Sequence, residues 1–381
     1  MLNTIFGIAI GVSLAYSVVA LVAAARVGRL RGREPDGFAP PVTVLKPVKG
    51  LDPGQLGNFR SIFRQDYPDY QVLFGVADLE DPAVAAIRQV LAEHPEADAR
   101  LVLCPALLGP NAKVSKLHRM AAEARHEILI VSDSDTRVEP DYLRRVAAPF
   151  ADPEVGVVTA LYRGGAPVGL AAHLERLCIH ALFVPGALVA CLLEGRLTFG
   201  LGATLAVRRK VLDDLGGFAA FTHVLAEDYL LANRAVAGGA SVALADTVAE
   251  CVLGRIPFRE FFLHQLRWAR TNRCCRPLGY LGAFVRHGIA LSLILLLLAG
   301  PTPLALALLA ATAALQAAVA WTVSAKVLRA PDPARGLWLL PIADLLGLSL
   351  WILAYAGNTV TWRGQRFRVT RGGKLVPLGG A

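Results

Sequence analysis

Residues 4–25, TIFGIAIGVSLAYSVVALVAAA, carry no charge. Nothing constrains the fold of this chain more, because about 20 apolar residues in a helix match the hydrocarbon thickness of a bilayer. No Lys or Arg precedes the run, and four arginines follow it by position 33. A secretory signal has the reverse polarity, so residues 1–26 are expected to be an uncleaved anchor. The positive-inside rule then puts residue 26 onward in the cytoplasm.

Further apolar runs lie at 288–300 and 303–323, joined by the hairpin AGPTP, and at 337–357, which holds Pro341 and Asp344. They define a C-terminal set of transmembrane or interfacial helices over 284–358, followed by a basic cytoplasmic tail at 359–381. One anchor plus three C-terminal spans would leave that tail outside, against the charge rule. Either residues 337–357 lie in, or re-enter, the interface, which is the expectation here, or the tail is an exception to the rule. The apolar stretch 178–193 is short and contains a proline, which suits an interfacial or buried element.

The whole chain of 381 residues is 55% hydrophobic with a formal net charge of +9. The apolar residues are concentrated in runs, which points to membrane segments and not to an oversized core. The basic residues sit beside those runs, as in RVGRLRGR (26–33) and WRGQRFRVTRGGK (362–374). That placement reads as topology and headgroup signals and argues against nucleic acid. Six cysteines without a CxxC pair argue against a disulfide framework or zinc site and fit a reducing cytosolic face. The vicinal Cys274 and Cys275 read as interfacial cysteines.

Between the membrane segments the pattern changes. Short apolar runs at Val42–Leu45, Gln71–Val76, Leu101–Leu103, Ile128–Val131 and Val155–Ala160 alternate with amphipathic stretches at 55–64, 83–93 and 113–125. This alternation predicts an α/β domain over 40–280 with a mostly parallel, Rossmann-like sheet and its site at the carboxyl ends of the strands.

Acids follow two of those strands. The stretch EILIVSDSDTRV (127–138) ends in Asp133 and Asp135, two residues apart. On extended backbone their side chains would point the same way. They would offer hard oxygen ligands to Mg²⁺ or Mn²⁺ beside a substrate phosphate; the bland alternative is a turn. After the strand at 71–76 come Asp78, Glu80 and Asp81, of which Asp81 is expected to cap a helix starting near Pro82. Asp78, nearest the strand tip, is the better site candidate. A third acidic pair, Glu227 and Asp228, opens a helical stretch, where the dipole alone favours acids. Finally HQLRWAR (264–270) places Arg267, suited to bidentate phosphate contact, beside Trp268, suited to a sugar or lipid face. A basic interfacial helix with a Trp anchor is the alternative.

The order of these signals resembles a family-A glycosyltransferase of the inverting, membrane-bound kind. The stretch VTVLKPVKGLDPGQLGNFRSIFRQDYPDYQVLFGVADLEDPA (42–83) is similar to the ceramide glucosyltransferase family, which includes bacterial hopanoid glycosyltransferases. GPNAKVSKL (109–117), EDY (227–229) and WRGQRFRVTRGG (362–373) are similar too. The resemblance implies a GT-A fold, a UDP-sugar donor, a lipid acceptor and a divalent cation, Mg²⁺ or Mn²⁺. It implies that Asp78 lies in the nucleotide pocket and that Asp133, with Asp135 as neighbour, holds the metal on the diphosphate. Asp228 becomes the general base, with Glu227 beside it. Arg267 and Trp268 close over donor and acceptor, and Lys46 and Lys113 contact phosphate or loop. His264 occupies a position that is Gln or Arg in the family, which leaves its role open. The acceptor is ceramide or a hopanoid polyol and the sugar glucose or N-acetylglucosamine. The Ala-, Leu- and Arg-rich composition without an ER-retrieval tail suggests a bacterial inner-membrane protein. Two other readings are a processive polysaccharide synthase, which needs more spans to enclose a channel, and a non-catalytic membrane scaffold with a degenerate transferase fold.

Overall fold

The computed structural model describes residues 2–27, 31, 37–362 and 364–378. Arg29 and Arg33, two of the arginines expected to set topology, lie outside the described residues. One mixed sheet carries the domain, in the order β3-β2-β1-β4-β7-β6-β8-β5. Its strands are β1 (Val42–Pro47), β2 (Tyr70–Val76), β3 (Ala99–Leu103), β4 (Ile128–Ser132), β5 (Thr136–Arg137), β6 (Val155–Val168), β7 (Thr204–Arg208) and β8 (Ser241–Arg255). Strands β3, β2, β1 and β4 run parallel, as do β6 and β8, while β7 is antiparallel to both β4 and β6.

The helices are α1 (Leu2–Arg26), α2 (Gln55–Ile62), α3 (Ala83–Glu93), α4 (Ala112–Ala121), α5 (Tyr142–Ala147), α6 (Leu170–Leu177), α7 (Val184–Glu194), α8 (Arg209–Asp214), α9 (Glu227–Ala237), α10 (Phe258–Cys275), α11 (Pro277–Gly282), α12 (Gly288–Ala299), α13 (Pro303–Thr322) and α14 (Leu340–Tyr355). Alternate strand residues divide between two cores, as the pleat requires. Val42, Val44, Val72, Phe74, Ile128 and Ile130 pack toward α2, α3 and α5. Leu45, Leu73, Leu129 and Val131 pack toward α4 and α9 on the other face. Strands covered on both faces read as nearly continuous apolar runs, which is why β1, β2 and β4 stand out in the sequence.

A further core joins the membrane helices to this domain. Ala20, Ala23 and Ala24 of α1 pack with Val184 and Leu188 of α7, Leu161 of β6 and Val319 of α13. Among the described residues four helical segments are each long and apolar enough to cross a membrane: Asn3–Arg26, Leu170–Glu194, Pro303–Val327 and Leu337–Tyr355. The stretch expected as a short element at 178–193 is part of the second, a helix continued through a π turn at Cys178–Phe183. Half of its apolar window is buried inside the protein, in keeping with a buried element. Residues Pro277–Arg286 and Gly288–Ala299 form a pair bent by 60°. His287, fully buried at the bend, places Nδ1 3.0 Å from Asp344 Oδ1, and Asp344 Oδ2 accepts the Ala290 N–H at 2.9 Å. The charge of the segment that follows argued for an interfacial or re-entrant position of 337–357. With the Asp344 carboxylate enclosed, the helix meets the length and apolarity that a full span requires.

The segment expected to be a basic tail is instead folded. Strands β9 (Thr359–Trp362), β10 (Gln365–Val369) and β11 (Leu375–Pro377) form an antiparallel sheet. Val360, Phe367, Val369 and Leu375 close its own small core with Leu225. Arg366 and Arg368 alternate with buried Phe367 and Val369, the period-two pattern of a half-covered strand.

Candidate active site

Strands β2, β1 and β4 are neighbours, and their carboxyl ends share one edge of the sheet. Ligands of open α/β sheets bind at that edge. Asp133 follows β4 immediately, but the chain does not stay extended there. Thr136 donates its N–H to the Asp133 carbonyl at 3.3 Å and its hydroxyl to the same oxygen at 2.6 Å. Residues 133–136 therefore make a turn, and the period-two argument that aimed Asp133 and Asp135 the same way does not hold. Ser134, between them, donates its hydroxyl to Asp52 in the loop after β1.

Lys46 was expected to touch phosphate or a loop, and the loop is what it holds. It is 1% exposed, and its ammonium donates to Ser132 Oγ at 2.9 Å, to the Asp133 carbonyl at 3.0 Å and to Thr136 Oγ1 at 3.4 Å. Three partners use all three donors. Burial lowers its pKa to about 8 against the pull of Asp133, Asp135 and Asp52.

Lys113 connects the first acid to the second pair. Its Nζ lies 2.7 Å from Asp133 Oδ1 and 2.9 Å from Glu227 Oε1. The other oxygen of Glu227 accepts from Asn111 Nδ2 at 3.2 Å. Asn111 is fully buried, and its Oδ1 caps α4 by accepting the Val114 N–H. Both oxygens of Glu227 are thus engaged within the protein. Burial alone would lower the Lys113 pKa, but Asp133, Glu227 and Asp228 outweigh it and hold the pKa well above the ordinary lysine value.

Asp228, the next residue of α9, faces elsewhere. A Cβ placed on Gly202 would stand 3.1 Å from Asp228 Oδ2 and 3.6 Å from Asp133 Oδ2. The two carboxylates therefore border one small gap roofed by the loop before β7. A Cβ on Gly200 in the same loop would meet the Asp228 carbonyl at 2.7 Å, so that position tolerates no side chain. Burial, and then the charge of Glu227, raise the Asp228 pKa to about 7, with Lys113 opposing.

Asp78 is exposed at the carboxyl end of β2 and accepts the Glu80 N–H at 3.0 Å. Asp81 accepts the N–H groups of Gly50 and Ala83, at 3.0 and 2.9 Å, and so caps the start of α3 as expected.

Helix α10 splits its motif between two sides. Trp268 packs with His264, Phe183 and Tyr162, with ring centroids 4.9, 5.3 and 6.5 Å away. His264 Nδ1 lies 2.8 Å from Oε1 of Glu175, a carboxylate 2% exposed whose other oxygen accepts from Gln265 at 3.0 Å. This contact ties α10 to α6. Arg267 lies on the next stripe with Leu263 and Arg270, lining a cavity against β9 and β10. The small C-terminal sheet reaches the site as well. The Leu225 N–H donates to the Gly373 carbonyl at 2.9 Å, and the Leu375 N–H to the His223 carbonyl at 2.8 Å. Residues 223–225 lead directly into Glu227 and Asp228.

The donor set fits a divalent cation of the hard type. Mg²⁺ takes one or two carboxylates and completes its shell with water and substrate phosphate. Asp133, whose Oδ2 lies at the gap beside Gly202, supplies one such carboxylate, and among the described residues no group of three or more His, Cys, Asp or Glu forms an all-protein cage.

Sequence reasoning passed over Asp52, Glu175, Gly200, Gly202 and the role of Asn111. The G-x-G of FGLGA (199–203) was a legible sign of close backbone approach. Nothing local marks Glu175, whose partners lie on a distant helix.

Comparison with known proteins bears on this arrangement. The family Glycosyl transferase family 21 matches residues 5–375. Ceramide glucosyltransferase 1 of Caenorhabditis elegans is 26% identical over 249 residues, covering 64% of this chain and 52% of that protein. Ceramide glucosyltransferase 3 of the same organism is 22% identical over 357 residues, 90% of this chain and 75% of that one. The chain thus spans about half the length of the first of these relatives. A mannosyltransferase of Pyrobaculum calidifontis, solved in complex with GDP-Man and Mn²⁺, has a similar fold, with a TM-score of 0.57 and 22% identity over 92% of this chain and 97% of that one.

Proposed function

The chain belongs to Glycosyl transferase family 21, and from that premise we propose that it moves a hexose from a UDP-sugar to a hydroxyl of a membrane lipid, inverting the anomeric centre. Glucose or N-acetylglucosamine is the sugar, and ceramide or a hopanoid polyol the acceptor. The observation that carries this reading is the shared gap of Asp133 and Asp228 at Gly202, beside apolar helices that form one core with the catalytic sheet. The ceramide glucosyltransferases among its relatives support the lipid acceptor.

The acceptor hydroxyl is a weak nucleophile and needs a carboxylate within reach of its proton. Asp228 is that base: its Oδ2 takes the proton while the acceptor oxygen bonds to the anomeric carbon. The carbon–oxygen bond to the diphosphate breaks, and the diphosphate leaves with the electron pair. A pKa of about 7 suits this work, because the group is ionised over much of the neutral range yet basic enough to accept a proton. Lys113 and Glu227 tune it, and Lys46 fixes the turn that presents Asp133. Asp133 and Asp135 would hold the divalent cation, which when bound stabilises the negative charge of the leaving diphosphate. Asp78 is assigned to the nucleotide, and Trp268 to the sugar or lipid face at the membrane side. Arg267 contributes positive charge to donor closure.

Membranes containing the protein, incubated with each labelled UDP-sugar and extracted into organic solvent, test the proposal. A labelled β-glycolipid is the expected product, and release of UDP with no lipid-borne label would remove the lipid acceptor.

A further inference from the structure

Between β1 and β8, and apart from the helix Leu170–Glu194, every described large apolar side chain that is exposed lies at one edge of the sheet. Leu51 follows β1, Leu79 follows β2, Leu103 ends β3, Leu107 and Leu108 follow it, and Val168 ends β6. These six are between 42 and 68% exposed. The connections at the opposite, amino edge show none among the described residues: 63–69, 94–98, 122–127, 148–154 and 238–240 expose no large apolar side chain. Single apolar residues scattered over a surface are ordinary, whereas their confinement to one edge marks a contact surface.

The same edge hands the chain to the membrane segments. Strand β6 runs out of it into the helix Leu170–Glu194, and the chain rejoins the sheet at that edge in β7, the antiparallel neighbour of β6. Strand β8, parallel to β6, runs out of it into α10, which leads to the bent pair Pro277–Arg286 and Gly288–Ala299. Leu170 and Phe258, the first residues of those two helices, are themselves 53 and 51% exposed. Arg255 and Arg259 are exposed beside Phe258, as cations at a headgroup layer would be.

The leucine loops continue this rim. A Cβ on Gly254 of β8 would stand 2.7 Å from Pro53 Cβ, so the loop carrying Leu51 lies against the end of β8. The Gly50 N–H donates to Asp81 at 3.0 Å and ties that loop to the one carrying Leu79. From α4, Lys116 donates to the Val48 carbonyl at 2.6 Å, and Ser115 Oγ accepts the Leu108 N–H at 3.1 Å. One helix thus holds the third loop beside the first.

We propose that the loops after β1, β2 and β3 are a membrane-contact surface, with Leu51, Leu79, Leu107 and Leu108 entering the headgroup layer of the bilayer that holds the helices. Phospholipid is the occupant because the patch continues the edge from which the membrane segments leave. The site at this edge then opens beside the lipid surface.

Fluorescence quenching on the full chain in phosphatidylcholine nanodiscs reads the contact. An NBD label is placed on Leu107→Cys, on Leu51→Cys or, as a reference at the amino edge, on Glu96→Cys, and the signal from the six native cysteines is subtracted. All three positions are exposed, so the variants should fold. Apolar groups anchored at an interface sit about 5–10 Å into the headgroup and acyl boundary, so a nitroxide high on the lipid acyl chain should quench the labels at 107 and 51 at least about twice as strongly as the label at 96. Iodide in the water should quench in the reverse order. Equal iodide quenching at 107 and 96 overturns the proposal, as does lipid quenching at only one of the two loop positions. Protection from iodide without lipid quenching gives the surface to a second copy of the chain and overturns it too. No sugar transfer enters the readout, so failure here leaves the proposed function standing.

Discussion

At the residue scale, the proposed mechanism turns on the ionisation of one carboxylate. Asp228 carries a pKa raised to about 7, first by burial and then by Glu227, while Lys113 pulls it down. A base must be deprotonated, so kcat/KM should rise with pH and level off above about 7. Replacing Lys113 with Met removes the cation that favours the ionised form. The acid limb should then move to higher pH, and an unmoved limb would show that another group controls it. Gly202→Ala offers a second test, since the added methyl would stand 3.1 Å from Asp228 Oδ2. The protein should fold, because the φ of Gly202 is not among the positive ones. Its turnover should drop by up to about 100-fold, the scale of an ångström-sized misplacement. Wild-type turnover in this variant would mean that the gap is not the path of the reacting group. Asp133 and Asp228 were legible in the sequence because acids at a strand tip and at a helix start are local patterns. Lys46 was named only through the family resemblance, since a buried lysine that uses every donor on one turn is a product of two strands meeting.

At the element scale, the C-terminal sheet holds the segment that leads into Asp228, the proposed base. Two backbone hydrogen bonds tie residues 373–375 to residues 223–225, and Arg270 and Arg273 of α10 grip the start of β9. Truncation after Thr370 removes β11 and both bonds. Turnover should fall by about 10- to 100-fold through misplacement of Asp228, while donor affinity stays near wild type. Equal loss of donor binding would show a general loss of folding instead. Strands β1, β2 and β4 were read from the sequence within one or two residues at most ends, because burial makes them mostly apolar, and the half-exposed edge strand β3 was read at its apolar end, Leu101–Leu103. The strands β7 and β8 were missed: the first is a five-residue insert after a glycine-rich loop, and the second mixes polar with apolar residues. In β10 the arginines masked a plain alternation with Phe367 and Val369. The D-x-D turn shows the same limit, for side-chain direction follows a turn's hydrogen bonds, which spacing alone does not reveal.

At the scale of the whole molecule, the membrane helices and the catalytic sheet are one packed body. Residues of α1, α7 and α13 share a core with β6 and β8, and Tyr229 and Trp268 pack against it beside the site. Composition revealed the apolar runs at both ends and the stretch 178–193 as interfacial or buried, but not that it belongs to a helix, Leu170–Glu194, long enough to cross a membrane. Transfer at such a junction should place the product in the lipid phase. The measurement that tests this most directly is the partition of label from a UDP-sugar after incubation with membranes containing either wild type or Asp228→Asn. Wild type should drive label into the organic extract as a β-glycolipid. The Asn variant should do so about 100- to 10,000-fold more slowly, the range of a lost general base, while still binding donor. Lipid-borne label formed at the wild-type rate by Asp228→Asn would contradict the account.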